Sequence, residues 1–396
     1  MSPSVIALFV FASLASLFMA WVIGAGSSGA TPFAPAVGAN AISTMRAAFV
    51  VGVFGFAGAV VQGANVSEAV GHGLVGGVTL PAAGVIVVLV IGAGLMALGI
   101  KTGYPIATAF TVTGAVIGVG IGLGGTPVPS KYLQIGAVWV LTPVVGGGIA
   151  YCIASVLPRS DVPERYSVAL LAALVAAALA NVEFAHLGPG NSMGSVTGFV
   201  RRTLGADGVA VPIAVSLLAA ASVAALVRWD VDRDIDGGLR RVLLALGSLV
   251  AFSAGGSQVG LAVGPLLPLF DDLEAIPVLA VLVGGGFGIL VGSWTGAPRM
   301  IKSLSRDYSS LGPRRSISAL VPSFLIAQLA VLFGVPVSFN EIVVSAIIGS
   351  GAAVGGGDAV DANKILKTVG AWASSLALAL ALGYGAAVLL AVVSAA

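Results

Sequence analysis

Ten uncharged polar residues stand where long apolar runs of this chain are interrupted: Ser27, Ser28, Thr31, Thr108, Thr111, Ser253, Ser257, Gln258, Ser338 and Asn340. Hydroxyls and side-chain amides both donate and accept hydrogen bonds. In an apolar setting they suit an oxyanion ringed by donors, with no need for a buried Lys or Arg. One carboxylate, Glu341, lies just inside an apolar segment, where an ionisable side chain is costly and usually functional. Its chemistry would be proton coupling or acceptance of a substrate proton. The plainer reading is a carboxylate that snorkels to the external interface or caps the first turn of a helix. No HExxH or GxSxG pattern and no carboxylate pair occurs in the spans, so an enzyme is not expected. His72 and His186 are far apart and Cys152 is the sole cysteine, so neither a metal cluster nor an internal disulfide is expected. Cys152 itself reads as a small buried hydrophobe.

The elements that must position these residues follow from composition. Of 396 residues, 58% are hydrophobic and 9% charged, against roughly 25% charged in soluble domains. Apolar runs are continuous for about 20 residues, the length of a membrane-spanning helix, whereas barrel strands alternate in segments of about 10. The expected fold is an all-α polytopic membrane protein. Four stretches interrupt the runs: residues 24–44, 101–110, 252–267 and 334–341. Their Gly and Pro residues weaken the helical ladder, and broken backbone at membrane depth is tolerated where protein buries it or it lines a polar cavity. The first apolar run, residues 5–23, lacks a basic leader and is read as retained.

Internal repetition appears as a constant offset. Gly24 aligns with Gly255, Gly103 with Gly334, and Pro105 with Pro336, each 231 residues apart; Lys131 and Trp139 match Lys364 and Trp372 at 233. This divides the chain into a first repeat (1–157), connecting spans with a charged linker (158–241) and a second repeat (242–396). The loop at 66–79 carries no Lys or Arg, while its counterpart at 298–315 carries Arg299, Lys302, Arg306, Arg314 and Arg315. By the positive-inside rule the two face opposite sides, so the repeats are inverted. With about 12 crossings, Arg46, Lys101, Arg159, Arg165, Lys364 and Lys367 fall in the cytoplasm and both termini outside; Lys131, Arg201 and Arg202 run against that scheme. Interrupted motifs that form re-entrant hairpins would alter the count but not the inversion. Inverted repeats with discontinuous helices are the architecture of many secondary transporters, whose sites lie at the midplane.

The interruptions also resemble the paired motifs of the inorganic phosphate transporter family, a G-A-N-D-V-A-N type near the start of each half and a G-L-P-V-S-T-T-H type later. The second-half early motif reads FSAGGSQVGLAVGPL at 252–266, and the first-half one GAGSSGATPFAPAVG with one extra residue. The later motifs read GYPIATAF at 103–110 and GVPVSFNE at 334–341. The resemblance implies a permease working by alternating access, with Thr108, Ser338 and Asn340 on the anion. Both motif aspartates are missing: Gly26-Ser27 and Ser257-Gln258 occupy the Asn-Asp positions. Cation coupling through them is therefore not implied, and either Na+ or H+ stays open, with no other cofactor. A sulfate-moving branch also lacks the aspartate of its first motif. Sulfate only accepts hydrogen bonds, whereas phosphate near neutral pH benefits from an acceptor. Phosphate is kept ahead as the commoner substrate of the family; a sulfate permease or a non-transporting anion sensor are the alternatives. The expected substrate contacts are Ser27, Ser28, Thr31, Thr108, Ser257, Gln258, Ser338 and Asn340, with Glu341 a candidate for proton coupling. A multi-pass protein of the cell membrane, compatible with a homodimer and with no nucleic-acid partner, completes the expectation.

Overall fold

The computed structural model describes residues 3–158, 163–206, 208–270, 277–355 and 360–395; Arg159 lies outside them. The first half runs α1 (Pro3–Gly26), α2 (Ala34–Gly38), α3 (Thr44–Gln62), α4 (Ala64–His72), α5 (Ala82–Thr102), α6 (Thr108–Gly122) and α7 (Pro129–Val156). Next come α8 (Glu164–Asn181), α9 (Val196–Thr203) and α10 (Ala210–Arg233). The second half runs α11 (Ile235–Val263), α12 (Leu267–Phe270), α13 (Val278–Thr295), α14 (Ala297–Leu304), α15 (Pro313–Leu332), α16 (Phe339–Gly355) and α17 (Ala362–Ala395). Among the described residues, ten helices are long and apolar enough to cross a membrane, and α6 and α16 are shorter apolar helices. The long apolar helices thus number ten among the described residues, where about twelve crossings were expected, and α6 and α16 are each preceded by an extended segment. Those segments start at Gly103 and Gly334, whose φ values of +76° and +60° turn the chain out of α5 and α15.

Contacts at the ends of α5 and α15 give their relative direction. Gly103, after α5, accepts a hydrogen bond from Ser303 of α14 at 3.1 Å, beside the segment that leads into α15. Gly334, after α15, sits against α4, where a Cβ would lie 3.2 Å from the Asn65 carbonyl. The two helices therefore run in opposite directions. On one side Val75 and Gly76 pair antiparallel with Pro127 and Thr126. On the other, Ser309 bridges Val360. Across the halves, α6 packs on α17 and α16 on α7, while α1 packs on α13 and α3 on α11. Stripes of small residues permit these approaches. The helix α3 crosses α11 so closely that a Cβ on Gly58 would lie 1.8 Å from the Phe252 carbonyl oxygen, and one on Gly255 would lie 1.9 Å from that of Gly55.

That packing corrects one expectation. Residues 252–263 do not break; α11 stays helical to Val263, and the change to a tighter 3-10 turn comes at Gly264–Leu266, where Pro265 lies. The glycines there serve close helix contact and leave the ladder intact. A second correction concerns Cys152, which is exposed on α7. Overpacking a close crossing costs typically 1–3 kcal/mol, of order. Gly58→Val should lower the unfolding temperature of the purified protein by several degrees, whereas Gly94→Ala, with nothing within 4 Å of the added carbon, should leave it unchanged. Fluorescence-detected thermal unfolding in detergent measures both.

Candidate functional site

Two amide side chains tie the interrupted segments together. Gln258, on α11, accepts from Ser27 Oγ at 3.1 Å and donates through Nε2 to the Val337 carbonyl at 2.7 Å. Asn340, in the first turn of α16, donates through Nδ2 to the carbonyls of Gly26 at 3.1 Å and Ile106 at 2.6 Å. Because both acceptors are carbonyls, the amide nitrogen of Asn340 must face them, and its oxygen points elsewhere. Ser27 and Gln258 stand 231 residues apart, the same spacing as the paired glycines and prolines of the sequence. Two indoles add a matching pair. Trp139 Nε1 donates to the Pro336 carbonyl at 3.0 Å, and Trp372 Nε1 to the Pro105 carbonyl at 2.7 Å. Each helix-ending segment therefore has its exposed carbonyl satisfied from the opposite half. The two Trp positions were used in the sequence only as markers of repetition; their offset, nearly that of the two prolines, was the available signal for these bonds.

All eight expected substrate contacts have no accessible surface, and Glu341 has 1%. These side chains are therefore shielded from water. Within it, several polar atoms have no hydrogen-bond partner: Thr108 Oγ1, Ser257 Oγ, Asn340 Oδ1 and Glu341 Oε2. Buried polar atoms are normally paired, so such a group marks a strained, functional or ligand-bearing place. Thr108 opens α6, whose N-cap residue Ala107 makes no side-chain cap. Ser338 accepts from the Glu341 amide at 3.4 Å at the start of α16. Helix starts of this kind present free N–H groups and a partial positive charge. The snorkelling reading of Glu341 does not fit its burial.

Other expected contacts are spent locally. Thr31 Oγ1 donates to the Ser27 carbonyl at 3.1 Å and Ser28 Oγ to that of Ile23 at 3.5 Å, both around the end of α1. Thr111 Oγ1 donates to the Thr108 carbonyl at 2.8 Å. A buried network that the sequence did not reveal runs beside the site. Gln62 Nε2 donates to the Glu183 carbonyl at 2.8 Å, and Gln328 Nε2 donates to Gln62 Oε1 at 3.2 Å and to Ser253 Oγ at 2.6 Å. Ser253 is one of the ten interrupting polar residues; Gln62 and Gln328 are lone amides within apolar runs and carry no such signal.

At one end of the molecule a cationic latch joins the halves. Lys364 Nζ reaches Asp307 Oδ2 at 3.3 Å and the Gly103 carbonyl at 3.4 Å, and lies 4.2 Å from the centre of the Tyr104 ring. Asp307 also accepts from Ser303 Oγ at 2.7 Å. Tyr308, buried beside it, shares a hydrogen bond with Thr368, and burial pushes its hydroxyl pKa well above the ordinary range.

Apolar spanning helices, paired helix breaks and a closed polar centre define a multi-pass membrane protein of the secondary-transporter class. The model of the phosphate transporter family matches residues 10–383, so the chain belongs to that family. It is similar to a candidate phosphate permease of Pyrococcus furiosus, with 27% identity over 361 residues and 85% of each chain covered. It is also similar to the chloroplastic inorganic phosphate transporter 2-1 of Arabidopsis thaliana, 24% identical, covering 91% of this chain and 68% of the other. A solved sodium-dependent phosphate transporter shares the fold, with a TM-score of 0.81 over 98% of this chain and 99% of that one at 24% identity.

Leaving a buried carbonyl without its donor costs about 1–3 kcal/mol. Trp139→Phe and Trp372→Phe should each lower the unfolding temperature in detergent, by comparable amounts. A drop in one variant only would show that the two bonds are not equivalent supports.

Proposed function

We propose that this protein moves inorganic phosphate across the cell membrane by alternating access, with the anion held at the closed centre where the interrupted segments meet. Thr108 and Ser257 donate to it from their free hydroxyls, Ser338 lies beside it at the start of α16, and the first amides of α6 and α16 face the charge. Ser27 and Gln258 set the spacing of the two halves, while Ser28 and Thr31 brace the end of α1. The halves act as inverted repeats, a reading supported by the opposed directions of α5 and α15, and one rocks against the other. Both termini are external in this scheme, with the Lys364 latch on the cytoplasmic side.

The observation that carries the reading is the free oxygen of Asn340. An amide oxygen only accepts, and so does an ionised carboxylate. Phosphate near neutral pH brings a proton to such an acceptor and sulfate does not, so sulfate would leave the buried oxygen unmatched at about 1–3 kcal/mol, roughly a tenfold to hundredfold preference. The same reasoning assigns coupling. Ionised, Glu341 would repel the anion; protonated, it becomes a donor. Anion and proton therefore enter together, and protons replace the cations that the missing motif aspartates would have served.

Labelled phosphate and labelled sulfate uptake into proteoliposomes, under imposed proton or sodium gradients, tests this. Phosphate should accumulate at least about tenfold faster than sulfate, driven by the proton gradient, and Ser257→Ala should slow it at least tenfold. Glu341→Gln should retain exchange of internal for external phosphate and lose acceleration by the gradient. Uptake of sulfate alone would assign a sulfate permease; binding without any uptake would assign a sensor. Sodium-driven uptake unaffected by Glu341→Gln would refute the coupling assignment.

A further inference from the structure

Behind the extended segment that leads into α6 lies a crevice of about 330 Å³ between α5 and α17. Its walls are apolar, from Leu95, Leu98, Ala371 and Leu378, and its mouth carries Thr102 and Lys367. Leu98 is 57% exposed and Leu378 50%, on helices that are both long and apolar enough to span a membrane, so the crevice opens towards the hydrocarbon. Lys367 is exposed, and among the described residues its side chain takes part in no ion pair or hydrogen bond. Among the described residues, Asp307 is engaged with Lys364, and Asp361 with the backbone amide of Lys364 at 2.9 Å. An ammonium group at the mouth of an apolar slot matches an ion whose charge sits at one end of a hydrocarbon body. A soluble anion would satisfy the amine and leave the slot empty of apolar contact; a zwitterionic lipid would fill the slot and bring no net charge to the amine.

We propose that this crevice is a binding site for a phospholipid with an anionic headgroup, phosphate at Lys367 and one acyl chain between α5 and α17. Tyr104 and Ile106 form the back wall. The Ile106 carbonyl is an acceptor of Asn340, and the Pro105 carbonyl is the acceptor of Trp372. A chain seated there braces the segment that carries Thr108 from the membrane side and fills a gap that would otherwise let it relax outward. The proposal concerns lipid occupancy and stands or falls separately from which anion is transported.

The test uses the full-length protein delipidated in detergent, then titrated with phosphatidylglycerol or with phosphatidylcholine of the same acyl chains, read by native mass spectrometry and by thermal unfolding. Phosphatidylglycerol should be retained in preference to phosphatidylcholine and should raise the unfolding temperature. An ammonium near a membrane surface is worth about 1 kcal/mol towards anionic lipid, so Lys367→Gln should weaken retention about fivefold. Ala371→Trp, which fills the slot, should abolish the stabilisation while leaving the lipid-free unfolding temperature near that of the parent. Lys367→Gln changes an exposed side chain, so the proposal remains testable should the tryptophan variant fail to fold. Equal retention of the two lipids, or full retention in Lys367→Gln, would overturn it. Displacement of phosphatidylglycerol by an equal concentration of inorganic phosphate would do the same, by assigning the amine to a soluble anion.

Discussion

A backbone carbonyl released from a helix inside a bilayer has no water to turn to, and the architecture of this protein depends on answering that need. The segments after α5 and α15 leave the helical ladder, and most of the carbonyls they free are met by side chains from the opposite half: Asn340 serves Ile106, Trp372 serves Pro105 and Trp139 serves Pro336. Asn340 also serves Gly26 at the end of α1, and Gln258 serves Val337 from within its own half. Interdependence of this kind makes the contact between halves obligatory, and it places polar side chains at the one depth where a transported anion must be handled.

The same arrangement explains why the closed centre is both stable and poised. Backbone demands absorb the amide nitrogens, so the atoms left over are oxygens: two hydroxyls able to donate and two acceptors. Helix starts supply the remaining positive field. Opening towards one side requires parting contacts at that end only. At the end marked by Lys364 those contacts include an ion pair and a cation over an aromatic ring, and those at the opposite end include Tyr132 donating to the Leu74 carbonyl and a short strand pairing. The ion pair at the Lys364 end is sensitive to salt at its partly exposed carboxylate.

Much of this was legible in the residues, for identifiable reasons. Long apolar runs can only be spanning helices, and Gly-x-Pro after a run marks a stop, so the starts of α6 and α16 were found within a few residues. Glycine without proline was misleading: Gly255, Gly256 and Gly260 permit close approach of Gly55, Gln62 and Ser67 and leave α11 intact. Hydroxyls were ambiguous because Ser and Thr bond their own preceding turn as readily as a ligand, which is what Ser28 and Thr31 do. Gln328 carried no mirrored partner to draw attention to it. Glu341 was visible as an ionisable group in an apolar segment, but its full burial depends on α7 and α15 packing over α16, which no local pattern encodes.

The claim on which the rest turns is that an oxyanion occupies the closed centre between the interrupted segments. Arsenate is a tetrahedral stand-in for phosphate whose heavy atom scatters anomalously, so a crystal structure of the protein equilibrated with arsenate locates the anion directly. The account predicts one strong anomalous peak within hydrogen-bond reach of Thr108 Oγ1 and Ser257 Oγ, beside the first turn of α16. A peak confined to the basic residues at the Lys364 end, with none at the centre under conditions that saturate uptake, would contradict it.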